Sequence, residues 1–323
     1  KAQRQHTSRI HREKMEKIAE SCGNDQTFYK LVRQQRTTSA TSTGILKING
    51  AIIDSPEDIL TAWATYFEKL ATPKSDSSFN PEYLSDTQAD VELIRRVALQ
   101  EEKAEIPISY KEVRDAISSL KNNKSPDIMG IMAEHLKFAG PLVIKEVQKI
   151  MNAIYHKASV PSMLKVGVLT PVYKKGPPED PSNYRGISVT PIILKILEHI
   201  MRKRHQHLLL STQSSLQTGF TKGTSSLTAT FIVTECQIEA KLSKRPMYLT
   251  TLDTQKAFDV VNHDILLHKL YTDGIQGKDW LLIQSLYSDM TASVKWKGKL
   301  SNVVSIQQGV RQGGILSTDH YKR

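Results

Sequence analysis

Apolar residues recur at Ile193, Ile196, Leu197, Ile200 and Met201, three to four apart, which predicts a helix with one buried face. Arg202, Lys203 and Arg204 are expected to close its C-terminal end, where cations suit the helix dipole. Residues 166–173 form a short apolar run and predict a strand. Val294 and Trp296 alternate with Lys295 and Lys297, Gly298 marks a turn, and Val304 and Ile306 return, so residues 291–306 predict a hairpin. Earlier in the chain, a first hairpin is expected over residues 44–53, because Asn49-Gly50 separates two apolar runs. Ser55 then caps a helix reaching about Leu70, with Pro56 at its first position and Glu57 and Asp58 in its first turn. Residues 72–90 are rich in Ser, Asp, Pro and Asn and are expected to be a linker. Ser109 caps a further helix ending near Leu120, followed by a loop over residues 121–127 and helices to about Ala158. Residues 9–20 fit a polar helix. Residues 249–253 form a β-type run ending in Asp253, and a helix is expected from near Ala257.

Charge changes this picture. Lys and Arg total 44 against 33 acids, a net charge of +11. An excess of this size favours a polyanionic partner, since each phosphate neutralised releases counterions. Nine Lys or Arg and four acids fall within residues 1–36, which suits either a solvated basic helix or an arm tracking RNA. Cys22 and Cys236 form no metal-ligand spacing and no disulfide framework, which fits a reducing intracellular compartment. No apolar run reaches the ~20 residues of a membrane span, so no membrane partner is expected. The chain starts with Lys and ends in Asp-His-Tyr-Lys-Arg, which suggests a fragment.

Several segments carry candidate chemistry. Asp253 stands at the end of an expected strand, a good position from which to hold a divalent metal beside a phosphate. Lys174, Lys175 and Arg185 flank a Gly/Pro-rich loop, and basic residues there can close over a triphosphate. Gly309, Gly313 and Gly314 allow close backbone approach to a base pair, and Gln312 among them offers hydrogen bonds to a nucleotide or template.

The run Leu252-Asp253-x-x-Lys256-Ala257-Phe258-Asp259 resembles motif A of reverse transcriptases in the form found in non-LTR, LINE-like retrotransposons. Asn183-Tyr184-Arg185-Gly186-Ile187-Ser188 resembles that family's Asn-Tyr/Phe-Arg-Pro-Ile-Ser, with Gly186 where Pro is commoner. Residues 308–317 resemble motif B, although Thr318-Asp319 departs from the usual continuation. Residues 120–131 and 216–223 resemble two upstream motifs, so the matches run in family order over roughly residues 105–317.

The resemblance implies RNA-directed DNA synthesis from a 3′-OH primer on an RNA template. The substrates would be dNTPs and the cofactor Mg²⁺, or Mn²⁺ in its place. It implies Asp253 as the catalytic carboxylate and metal ligand. Arg185, Lys174, Lys175, Phe258, Gln312 and Gly313 would bind nucleotide, with Phe258 excluding a ribose 2′-OH. Asp259, Gly309 and Arg311 would be supporting residues, Asp259 by capping or by pairing with Lys256 or an Arg. The fold implied is α+β: right-hand polymerase fingers and a partial palm with an antiparallel sheet. The expected divisions are a mostly helical basic extension over 1–71, a linker over 72–100, fingers over 101–245 and partial palm over 246–323.

The family completes its metal site with two adjacent Asp, and this chain contains no Asp-Asp. The acids after Asp259 are Asp264, Asp273, Asp279, Asp289 and Asp319, all isolated. One carboxylate cannot hold two ions at catalytic spacing, so the chain by itself is expected to be inactive, with an open sheet edge and poor solubility. The alternatives are a catalytically dead nucleic-acid-binding remnant and an intron-encoded maturase. Oligomeric state is left open.

Overall fold

The structure is a computed structural model that describes residues 44–48, 50–74, 80–101 and 106–322, together with Glu13 and Glu16. The chain divides into two compact units, residues 1–44 and 45–323, and the fold is that of the second. The helix expected over residues 9–20 lies outside the described residues except for Glu13 and Glu16, both helical and exposed.

Strands β1 (Leu46–Ile48) and β2 (Ala51–Ile53) form the first expected hairpin, with Gly50 at a φ of 84° that only glycine adopts freely. Helix α1 (Pro56–Leu70) follows with Ser55 as N-cap and Pro56 in its first turn. The Ser55 side chain makes no capping bond. Residues expected to be linker instead hold α2 (Pro81–Gln100). Asn80 starts this helix by accepting from the backbone N–H of Glu82 and Tyr83. Its polar composition disguises one narrow buried stripe of Thr87, Val91, Ile94 and Ala98, spaced three and four apart.

Helix α3 (Tyr110–Ser119) opens on a capping box in which Ser109 and Glu112 satisfy each other's backbone N–H. Helices α4 (Ala133–Phe138), α5 (Pro141–Lys157) and the short α6 (Ser162–Lys165) lead into β3 (Val166–Tyr173). The Asn-Tyr-Arg-Gly-Ile-Ser segment does not enter the next helix directly. It forms β4 (Tyr184–Val189), antiparallel to β3. Only then does α7 (Ile192–Ser211) begin. Ile196, Leu197, Ile200 and Met201 are buried as the periodicity requires. Arg202, Lys203 and Arg204 do not close this helix. They lie inside it and are paired with Asp319, Asp115 and Glu112, respectively. Asp127 fixes the start of α7: its carboxylate accepts from Met129, Ile131 and Ile192 N–H at 2.8–2.9 Å.

After α8 (Ser226–Leu242) come α9 (His263–Thr272) and α10 (Gly277–Tyr287). The expected second hairpin is β5 (Met290–Trp296) and β6 (Lys299–Ile306). Lys297 and Gly298 at its tip both have positive φ, 45° and 84°, the signature of a type I′ turn. The chain's described part closes with α11 (Ser317–Tyr321).

The main sheet has the order β4-β3-β5-β6. It is mixed rather than antiparallel throughout, because β3 and β5 run parallel. The architecture is α+β. Helix α1 lies across the sheet and inserts Trp63, fully buried, beside Phe67, Tyr184 and Trp296 at ring-centroid distances of 5.8, 4.8 and 5.6 Å. A separate, larger core joins α2–α7 to α9 and α10 through residues such as Val113, Met151, Ile196, Leu270 and Trp280.

Helix α8 has no buried residue, and Leu227, Phe231 and Leu242 are exposed. Residues 247–254 are not the expected strand. They run extended, unpaired and exposed, with Tyr248 and Leu252 at 91% and 95%. A β-type run becomes a strand only when a partner takes its backbone groups, and among the described residues none does. No described helix is long and apolar enough to cross a membrane.

Candidate functional site

The helix expected from Ala257 begins six residues later, and that delay shapes the site. Lys256 adopts a left-handed φ of 50°, and Asp259 N–H returns to the Lys256 carbonyl at 2.7 Å. Residues 256–259 therefore form a turn, and α9 starts only where Asn262 caps it through the Ile265 N–H. Lys256 reaches the other way. Its ammonium donates to the Tyr66 hydroxyl and lies 4.8 Å from the centre of that ring on α1.

Residues 308–317 pack against this turn. Gly309 N–H donates to Val261 O at 2.8 Å and Val310 N–H to Phe258 O at 2.7 Å. Gly309 has a φ of 91°, and a Cβ there would stand 2.8 Å from the Asp259 carbonyl oxygen. Half-buried His263 bonds the Gly309 carbonyl at 2.8 Å through Nε2, which must carry the proton, and burial pushes its pKa down. On the other side, Ser188 N–H donates to Gln312 O at 2.8 Å. A Cβ on Gly313 would collide with Ser188 O at 2.5 Å. The two glycines thus let one loop touch both the turn and the end of β4.

Two side chains lock the loop from behind. Fully buried Glu198 of α7 accepts from Ile315 N–H at 3.0 Å, and burial raises its pKa against that bond and the nearby Arg311. Arg311 donates to the Lys165 carbonyl, and burial lowers its pKa despite Glu198. The helix placed in doubt by Thr318-Asp319 does begin, as α11, and Asp319 pairs with Arg202 at 2.6 Å. Glu198 acts on the loop from inside a helix whose periodicity marked only its apolar face, and Ser188 acts through its backbone, so sequence reasoning assigned neither a role here.

Asp259 is half-buried and its carboxylate accepts from Gln312 Nε2 at 3.1 and 3.2 Å. Burial raises its pKa, while the Gln312 bond and Lys256 pull it back. Phe258 is half-buried. Tyr321 stacks on its ring at 4.6 Å and Phe220 meets its edge at 5.6 Å. Asp259, Gln312, Ser188, Gly186 and Phe67 line one cavity of about 60 Å³. A wider groove of about 1250 Å³ opens between the β1–β2 hairpin, α1 and the turn, with Lys47, Lys69, Lys74 and Lys256 set against Asp54, Asp58 and Asp180.

The remaining candidates sit elsewhere. Arg185 is exposed on β4, opposite Val172, on the same hairpin as the exposed Lys174 and Lys175. Gly186, where proline is commoner, is buried under Phe67 and bonded into the ladder with β3. Asp253 lies on the exposed extended segment with no hydrogen bond or ion pair among the described residues. No group of three or more His, Cys, Asp or Glu among the described residues can hold a metal.

Residues 172–323 match the family described as reverse transcriptase (RNA-dependent DNA polymerase). The chain is 24% identical over 321 residues to the transposon TX1 uncharacterized 149 kDa protein of Xenopus laevis, covering 99% of this chain and 24% of that protein. It is 28% identical over 216 residues to the probable RNA-directed DNA polymerase from transposon BS of Drosophila melanogaster, covering 65% and 23%. It is also 28% identical over 150 residues to the Pol polyprotein from the type-1 retrotransposable element R2 of Popillia japonica, covering 46% and 21%. The chain spans about a quarter of the length of the relatives it matches. Reverse transcriptases as a family use divalent metal ions.

Proposed function

We propose that this chain is a reverse transcriptase of the non-LTR retrotransposon type, whose fold supplies the fingers and first part of the palm of an RNA-directed DNA polymerase. The observation that carries this reading is the junction of three segments. The Asp259 turn, the Gln308–Ser317 loop and the end of β4 at Ser188 are bonded together, in the order the family resemblance requires.

In this reading, the loop at Gln312 and Gly313 abuts the nascent base pair, and its two tight glycine contacts keep the backbone from yielding. Arg185, with Lys174 and Lys175 across the hairpin, grips the dNTP triphosphate, since guanidinium and ammonium groups pair with phosphate oxygens. Phe258, held by Tyr321, stands under the incoming sugar and excludes a 2′-OH. Arg311 and Gly309 hold the loop rather than the substrate. Asp253 offers one carboxylate to Mg²⁺, or Mn²⁺ in its place, which would activate the 3′-OH and stabilise the leaving pyrophosphate. No step is assigned to these 323 residues alone, because one carboxylate does not hold two ions. RNA template, DNA primer and dNTP are the partners of this reading, and a reducing intracellular compartment its setting.

The test is binding of a primed RNA template over a salt series, with primer extension followed in the same tubes. Binding should fall with salt, and the triple variant of Lys174, Lys175 and Arg185 to Ala should flatten the slope by about 2–3 if all three meet phosphates. Absence of any binding overturns the reading. The exposed, uncaged Asp253 favours one second reading, a nucleic-acid-binding remnant without catalysis. Binding indifferent to both Asp253→Ala and Arg185→Ala would select it.

A further inference from the structure

Gln312 carries an amide with two unlike ends, a carbonyl that accepts and an NH₂ that donates. Which end a ligand meets is decided by whatever holds the other end. In this structure the holder is Asp259, whose two carboxylate oxygens both lie within 3.2 Å of Gln312 Nε2. An ionised carboxylate only accepts, so the nitrogen must face it and the carbonyl cannot.

Asp259 is itself unable to follow Gln312 if the amide turns. Its N–H is tied to the Lys256 carbonyl, and its neighbours Phe258 and Val261 accept from Val310 and Gly309. Gly309 backs onto its carbonyl too closely for any side chain. Gln312 is tethered through its own carbonyl to Ser188. Carboxylate and amide are therefore held by separate backbone anchors, and the bond between them sets the amide's direction.

We propose that Asp259 is a positioning residue that orients the Gln312 amide so that its carbonyl oxygen is the group offered to the ligand. Position 312 then selects a hydrogen-bond donor, such as a sugar hydroxyl or an exocyclic amine of the nucleotide or template. This rests on the polymerase reading for the identity of the ligand, but the orientation itself does not. It also explains a half-buried acid that makes no ion pair among the described residues and lies outside any described metal cluster.

Two groups could confuse a pH experiment. Lys256 faces Asp259 on the same turn and its charge acts on that carboxylate. His263 contacts the Gly309 carbonyl, and burial pushes its pKa down. A His263→Gln variant removes the second.

The first experiment is the side-chain amide spectrum of the ¹⁵N-glutamine-labelled chain, with the Gln312 signal assigned by its loss in Gln312→Met. The Gln312 signal should move with pH, with a midpoint above the ordinary carboxylate range. The movement should persist in His263→Gln and vanish in Asp259→Asn. A static signal in the unaltered chain, or equal movement in Asp259→Asn, overturns the proposal. The second experiment measures dNTP affinity for the chain bound to a primed template. Asp259→Leu, which cannot accept, should weaken it about tenfold, whereas Asp259→Asn, which still can, should stay within about threefold. Equal affinity in the Leu variant overturns the proposal. Failure to bind primed template at all defeats the polymerase reading instead and leaves the spectrum to decide the orientation.

Discussion

Phe67 of α1 lies over Gly186 of β4 with no room for a side chain between them: a Cβ on Gly186 would stand 2.7 Å from the Phe67 ring and 3.3 Å from Leu169. The contact couples a helix near the start of the described chain to the strand that carries Arg185. It also accounts for glycine at this position, since any side chain there meets the ring. Gly186→Ala should destabilise the fold by about 1–3 kcal/mol, because the ring has to leave its packed position. Urea unfolding measures this. Phe67→Leu introduced into Gly186→Ala should recover part of the loss, and strict additivity of the two changes would mean the contact is not made.

Acid should weaken the chain through Glu112. Burial alone would raise its pKa, but Arg204 at 2.7 Å and the Ser109 donors outweigh burial and bring it to about 2. Its folded pKa is thus below its unfolded one, so its contribution is complete above pH 4.5 and is lost as pH falls toward 2. The pair is mostly shielded from solvent, and the loss should reach at most about 3 kcal/mol. Glu112→Gln should lower stability at neutral pH and flatten the acid limb. A Gln variant with an unchanged acid limb would remove Glu112 as its cause.

Asp253→Ala should leave the unfolding midpoint where it is, within about 0.5 kcal/mol, because the carboxylate is exposed and bonded to nothing described. Any effect of this substitution on nucleotide or metal binding would then be chemical and not structural. A loss above about 2 kcal/mol would show that residues 247–254 are packed after all.

The β5–β6 turn is open to improvement. Lys297 is held at a φ of 45°, where a long side chain gains nothing and Asn is at ease. Lys297→Asn should raise stability by about 0.4–1 kcal/mol, and Gly298→Ala should lower it by about 1 kcal/mol, both read from thermal melts.

Local chemistry was legible in the sequence wherever it decided the structure. The turn at Gly298, the cap at Ser109, and the periodicity of α7 each depend on residues within a few positions of one another. The family motifs likewise located the loop around Gln312 and the turn around Asp259. What stayed hidden depends on distant partners. Leu249 and Leu252 have the composition of a strand, but strandhood needs a neighbouring backbone. Arg202, Lys203 and Arg204 suited a helix terminus by charge, yet their acids come from α3 and α11. Asp127 gives no hint, in its own surroundings, that it caps a helix 65 residues later. The Asp259–Gln312 bond joins two motifs that sequence reading had treated as separate reagents.

The parallel pairing of β3 with β5 sets a timetable for synthesis. Val166 to Leu169 pair with Thr291 to Val294, more than a hundred residues later. A ribosome adding ~5–20 residues per second needs roughly 6–25 s to deliver that stretch. Until then the β3–β4 hairpin exists with one edge bare, and Trp63 waits for Trp296 to complete its enclosure. The nascent chain is most vulnerable to misassembly in that interval, and slow codons placed between β4 and β5 would lengthen it.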